Sequence, residues 1–120
     1  MILVHRRFDR RLNHRVDLIA KLQGRMVKLD ENVLVFDLSL AGMTIVTQVP
    51  LSPNMSHEFH LQSDMGRFFL MGRIVHCYGR VEGDTFVYES GVHFYDLDRA
   101  TLEALKHLVD QNRMDNLRVC

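Results

Sequence analysis

Val33-Leu34-Val35-Phe36-Asp37-Leu38-Ser39-Leu40-Ala41-Gly42-Met43-Thr44-Ile45-Val46-Thr47-Gln48-Val49 holds two apolar runs around a short polar break. Val33 to Leu38 reads as one strand, with three β-branched or aromatic residues in its first four, and Met43 to Val49 as the next. Strand alternation turns Leu38 and Leu40 toward a core and sets Asp37 and Ser39 together on the opposite, polar face. Gly42 allows a conformation or a close backbone approach that a Cβ would block. Asp and Ser also cap turns by bonding nearby backbone, so the motif carries a purely structural reading beside a ligand-binding one.

Outward from this pair, the same pattern repeats. Val16, Leu18, Ala20 and Leu22 alternate across Val16 to Gln23, which reads as the first strand. Gly24 and Asp30-Glu31-Asn32 read as turns around a short Met26-to-Leu29 piece. Pro50-Leu51-Ser52-Pro53-Asn54 ends the third strand, because proline cannot donate to a ladder. His57 to Leu61 is a short fourth strand, followed by a turn at Ser63-Asp64-Met65-Gly66. Phe68 to Tyr78 is a long fifth strand, bent at Gly72, and Glu82-Gly83-Asp84 leads tightly into the sixth, Thr85 to Phe94. Short strands at even spacing without intervening helices predict a mainly β fold, an antiparallel barrel or sandwich. From Asp98 the apolar positions change to the helical period, with Leu102, Leu105, Leu108 and Val109 on one stripe and Asp98 as N-cap. The expected organisation is a single domain: an arginine-rich segment over 1–15, a barrel over 16–97 and a packed helix over 98–113.

Composition narrows the chemistry. The 120 residues suffice for one core and carry 47% hydrophobic residues. No stretch approaches the roughly 18 apolar residues of a membrane helix, so membrane insertion is not expected. Cys77 and Cys120 give no disulfide framework, and with no secretory leader pattern the chain reads as cytoplasmic. His57-Glu58-Phe59-His60 lacks the four-residue spacing of a helical zinc pair, and on a strand its two imidazoles face opposite ways. No nucleophile elbow and no glycine-rich phosphate loop occurs, so neither a metal site, a cofactor nor catalysis is expected.

Charge is neutral overall but unevenly placed. Arg6, Arg7, Arg10, Arg11 and Arg15 stand against Asp9 alone, a local net charge of +4 in an otherwise acidic chain. Such asymmetry points to an anionic partner near that segment. Arg6 and Arg10 stand four apart, as do Arg7 and Arg11. The planar guanidinium fork grips phosphate bidentately, reads guanine O6 and N7, or stacks on a base. A polymer of single-stranded nucleic acid is not expected, because it would want aromatic platforms on a basic sheet face.

Arg6-x-x-x-Arg10 before the first strand, followed by Asp37-x-Ser39-x-x-Gly42 after the second, resembles the PilZ domain family. Gly72-Arg73-Ile74-Val75-His76-Cys77 and Gly91-Val92-His93-Phe94 resemble its fifth and sixth strands. The resemblance implies a six-stranded antiparallel barrel with a C-terminal helix, and a bacterial receptor for the second messenger cyclic di-GMP. It implies ligand contacts from Arg6, Arg7, Arg10, Asp37, Ser39 and Gly42, with Arg7 and Arg11 as the competing register. Asp9 stands where such sequences commonly carry proline. Ordering of the arginine segment would signal to a separate downstream protein or alter self-association, which leaves a homodimer open. The alternative is a degenerate PilZ-like module that binds protein and no nucleotide.

Overall fold

The structure is a computed structural model that describes residues 16–63 and 66–119. The arginine segment, 1–15, lies outside the described residues. Six strands, β1 (Val16–Met26), β2 (Glu31–Leu38), β3 (Gly42–Thr47), β4 (Ser56–Ser63), β5 (Gly66–Glu82) and β6 (Thr85–Tyr95), precede one helix, α1 (Arg99–Val119). The strands close into a barrel in the order β1-β2-β3-β6-β5-β4, each neighbouring pair antiparallel. The expected six-stranded antiparallel barrel with a C-terminal helix is therefore what the chain forms.

Its interior is filled by Met26, Val33, Val35, Leu38, Met43, Ile45, Phe59, Leu61, Leu70, Ile74 and Val92, all essentially removed from water. Burial of each large side chain contributes about 1.5–3 kcal/mol, and closure leaves most strands without an edge. Leu105, Leu108 and Val109 of α1 join this core, and the helix packs on β1 and β5. Asp98 caps it as expected, its carboxylate accepting from Thr101 N at 2.8 Å, a bond that holds the carboxyl below its ordinary range. Leu102, expected on the buried stripe, is 40% exposed, and the helix runs beyond residue 113 to Val119.

Three expectations about glycines and turns are corrected. Gly24 is no turn; it sits inside β1, paired with Val33 and Leu61, and a Cβ there would stand 2.6 Å from His60 O. Its role is close strand approach. β1 runs on to Met26, and Val27 to Asp30 form the turn, with Val27 and Leu29 exposed. The expected bend of β5 at Gly72 lies three residues on, where the β5–β6 register shifts between Ile74 and His76 and leaves Val75 as the extra residue. Gly72 keeps regular register with His57 and Phe94; the space its missing side chain leaves is taken by Val92 and Phe59.

His57 and His60 do face opposite ways. His60 lies on the outside, 2.6 Å from Glu58 and against the Phe69 ring. His57 is buried edge-on against Phe59, and its Nδ1 has no partner among the described residues. Burial, aided by Lys28, pushes its pKa below the ordinary value near 6.5. The unfolded chain therefore takes up this proton more readily than the folded one. Its effect on stability is nil above about pH 6.5 and destabilising as pH falls below that. We expect the melting temperature of the wild type to fall between about pH 6.5 and 5 more steeply than that of His57→Leu. Parallel curves for the two proteins would contradict this role.

Candidate functional site

Two features of β2 create the site. The apolar residues Val33, Val35 and Leu38 are all buried, yet strict alternation would put position 37, not 38, inside. The β2–β3 register shifts between Val35 and Asp37, so Phe36 is an extra residue and the parity of the strand inverts. Asp37 is thereby kept off the core side and Leu38 is sent into it. Sequence alternation counted from Leu38 placed Asp37 on the polar face, but the bulge that makes this compatible with buried Val33 and Val35 was missed.

The β2–β3 turn follows at once. Ser39 Oγ accepts from Ala41 N at 3.1 Å and from Gly42 N at 3.2 Å, and donates to Gly42 O at 3.3 Å. Ser39 N also donates to Gly42 O at 2.9 Å, and Phe94 N ties Ala41 O to β6. Ser39 is fully buried, so its hydroxyl works as the clamp of this turn. A Cβ on Gly42 would collide with the carbonyl oxygen of Val92, which only glycine avoids. Leu40 packs partly against the core as expected. The turn is thus held on three sides.

Asp37 stands beside this clamp in a row that crosses the sheet. It pairs with Asp17 of β1 on one side and Thr44 of β3 on the other; Thr44 pairs with Gly91, and Gly91 with His76. Asp37 and Thr44 are buried, and the His76 ring occupies the space a Gly91 side chain would take. His76 is stacked on Tyr78 at 5.6 Å between centroids and 15° between planes. One step along, Gly42 pairs with His93 and His93 with Arg73, both exposed. Thr44 had no signal in the sequence, and Arg73, His76 and His93 stood there only within the stretches resembling the fifth and sixth strands; strand register unites them.

The chain enters the barrel at the same place. Val16 pairs with Leu38 and Asp17 with Asp37, so the chain leaves the arginine segment alongside the end of β2 that carries Asp37. Arg6, Arg7 and Arg10 themselves fall outside the described residues. Asp37, Ser39 and Gly42 are brought together within one strand end and its turn. Among the described residues no group of three or more His, Cys, Asp or Glu side chains could hold a metal ion.

This architecture agrees with the sequence, which matches the PilZ domain model over residues 5–111. The chain belongs to the PilZ domain family. Solved structures share this PilZ fold at low identity. The PilZ domain of YcgR from Escherichia coli, determined with c-di-GMP, has a TM-score of 0.73 at 14% identity, over 89% of this chain and 94% of that one. The Bacillus subtilis inhibitor of motility MotI gives 0.72 at 12% identity over 88% of this chain, and MrkH of K. pneumonia in its apo state gives 0.73 at 16% over 93%. This chain spans about half, 52%, of each of those two proteins. No curated protein matches the sequence. No described helix is long and apolar enough to cross a membrane.

Proposed function

We propose that this PilZ chain is a non-catalytic receptor for cyclic di-GMP, held between the arginine segment and the Asp37–Gly42 strand end. The observation that carries the reading is the pairing of Val16–Asp17 with Leu38–Asp37. Arg10 precedes Val16 by six residues, a reach of at most about 20 Å. The densest positive charge of the chain is therefore tethered close to the buried Asp37 carboxylate.

The chemistry of the ligand matches both halves. Two phosphodiesters suit the forked guanidinium groups of Arg6, Arg7 and Arg10, which also stack on or hydrogen-bond guanine. A carboxylate accepts from guanine N1–H and N2–H₂, the role assigned to Asp37. Ser39 and Gly42 supply the shape: they hold the backbone turn against which a planar base can approach. The family membership and the YcgR PilZ domain, described with c-di-GMP, support this ligand. Ligand binding would order the arginine segment across the strand end, and the changed surface would be read by a protein partner in a bacterial cytoplasm.

Calorimetric titration with cyclic di-GMP tests the reading. The wild type should release heat with a micromolar or tighter dissociation constant. Arg10→Ala, which removes bidentate contacts worth about 1–3 kcal/mol, should weaken it roughly 10- to 100-fold. Absence of heat from the wild type would leave the protein-binding alternative in its place. Loss in Arg7→Ala and Arg11→Ala, with Arg6→Ala and Arg10→Ala unaffected, would move the contacts to the other register.

A further inference from the structure

The barrel is closed, but β5 outruns it. β4 pairs with β5 only as far as Ser56 against Arg73, and Ile74 is met by the incoming loop through Met55 O and Asn54 N. β5 continues to Glu82, paired with β6 on one side only. From Tyr78 to Glu82 its other edge is open among the described residues. The tip of this overhang, Glu82 to Thr85, lies away from the candidate nucleotide site, while its base at Tyr78 stacks on His76 of the Asp37 row.

The edge has a definite polarity. Glu82 and Thr85 flank the two-residue turn Gly83-Asp84, in which Gly83 has φ of 63°. Such a turn closes on a hydrogen-bonded pair, and antiparallel pairs then alternate. Arg80 and Tyr78 thus spend their amides on β6, while Val81 and Gly79 direct N–H and C=O toward the open edge, and Cys77 does so at its inner end, beside the loop that brings Leu51 N to 3.4 Å from Cys77 Sγ. Edges of this kind are usually blunted by lysine, proline or a bulge. Here residues 76–82 contain neither lysine nor proline, the bulge precedes them, and Arg80 is already neutralised by Glu89 and Glu82 at 3.0 and 2.9 Å. Its flanks are apolar: Val81 is 69% exposed, Phe86 55% and Tyr78 50%.

We propose that this edge is a dimer surface: a second copy of the chain pairs antiparallel along β5 with Gly79 on the two-fold axis. The occupant follows from the sequence His76-Cys77-Tyr78-Gly79-Arg80-Val81-Glu82, which is complementary to itself about its centre. Tyr78 falls opposite Arg80 of the other copy, a ring against a guanidinium, and His76 opposite Glu82. Cys77 falls opposite Val81. The residues that face each other as hydrogen-bonded pairs in this register are Cys77, Gly79 and Val81, the three with outward amides. Gly79 at the axis keeps the crossing free of side chains, and the Phe86 ring covers it from β6. A foreign strand would need no such palindrome. The proposal does not depend on the nucleotide reading.

Sedimentation over a concentration series tests it, with the mass expected to rise from 14.0 kDa toward twice that value. Val81→Pro removes an outward N–H without touching the β6 ladder, and should hold the chain at the single mass with its melting temperature within a few degrees. If Val81→Pro unfolds, Val81→Lys, which charges the edge, should give the same loss. Register is read in a Cys77→Ser, Cys120→Ser background. An equimolar mixture of Tyr78→Cys and Arg80→Cys chains should form a mixed disulfide, since that non-hydrogen-bonded pair stands about 4.5 Å apart at Cα. Each variant alone is offset by two residues, about 7 Å along the strand, and should not cross-link. A wild type that stays at one mass, a dimer that survives both Val81 variants, or cross-linking without regard to register would each overturn the proposal.

Discussion

Asp37→Ala abolishes cyclic di-GMP binding at ordinary titration concentrations while leaving the barrel folded: that is the largest functional effect we expect of any single change. Two charge-assisted hydrogen bonds to a guanine edge are worth about 1.5–3 kcal/mol each, so their joint loss weakens binding about a hundred-fold or more. Asp37 stands on the outer side of β2, beside Thr44 and next to the entry of β1, and makes no part of the apolar interior. Its removal should therefore lower the melting temperature by only a few degrees. Ser39→Ala should behave the other way round. It strips the clamp that holds Ala41 and Gly42 and leaves the buried Gly42 amide without its hydroxyl acceptor, costing about 1–3 kcal/mol of stability. Its effect on binding then follows indirectly, through the looser turn. Calorimetry and melting curves on the two variants separate the roles. Equal binding losses with equal stability losses would mean that Asp37 is a structural residue and that the guanine edge is held elsewhere.

That contrast shows where sequence reasoning stops. Asp37 and Ser39 are two residues apart, and period-two alternation treats them as equivalent members of one polar face. Their division of labour depends on Ser39 standing where the strand has already become a turn, which strand periodicity cannot show. The number and antiparallel pairing of the strands were legible because each is an alternating run bounded by turn residues, and α1 because its leucines change period. Bulges were not. The extra residue at Phe36 shows only as a clash of parity between Val33, Val35 and Leu38, and the one at Val75 was ascribed to the nearest glycine, Gly72. Gly24 misled for a related reason: a glycine needed for close strand approach looks the same in sequence as one needed for a turn. The row Asp17, Asp37, Thr44, Gly91 and His76 draws on five strands, and its assembly follows from their register.

The largest effect on stability should come from Phe59→Ala. Phe59 is wholly buried at the centre of β4, paired with Met26 of β1 and Leu70 of β5, edge-on to His57 and packed where Gly72 leaves room. Gly72 leaves room for the Val92 side chain and for the edge of the ring, and truncation opens a void among these buried groups. Truncations of this kind cost about 3–5 kcal/mol. A chain of this length loses roughly 0.25 kcal/mol of stability per kelvin near its midpoint, so the melting temperature should drop by about 12–20 °C. A drop under about 3 °C would show that the barrel closes over the void and that Gly72 is not fitted to the ring. The variant also separates core from site. Ligand at a hundred times its dissociation constant adds about 2.7 kcal/mol to the folded state. Because Phe59 lies in the barrel interior and Asp37, though buried, is not part of that apolar cluster, Phe59→Ala should regain roughly 10 °C on addition of cyclic di-GMP, as the wild type should gain. Asp37→Ala, far more stable to begin with, should gain nothing. A cavity variant that is not rescued would mean that the turn at Ser39–Gly42 needs the packed core to keep its shape.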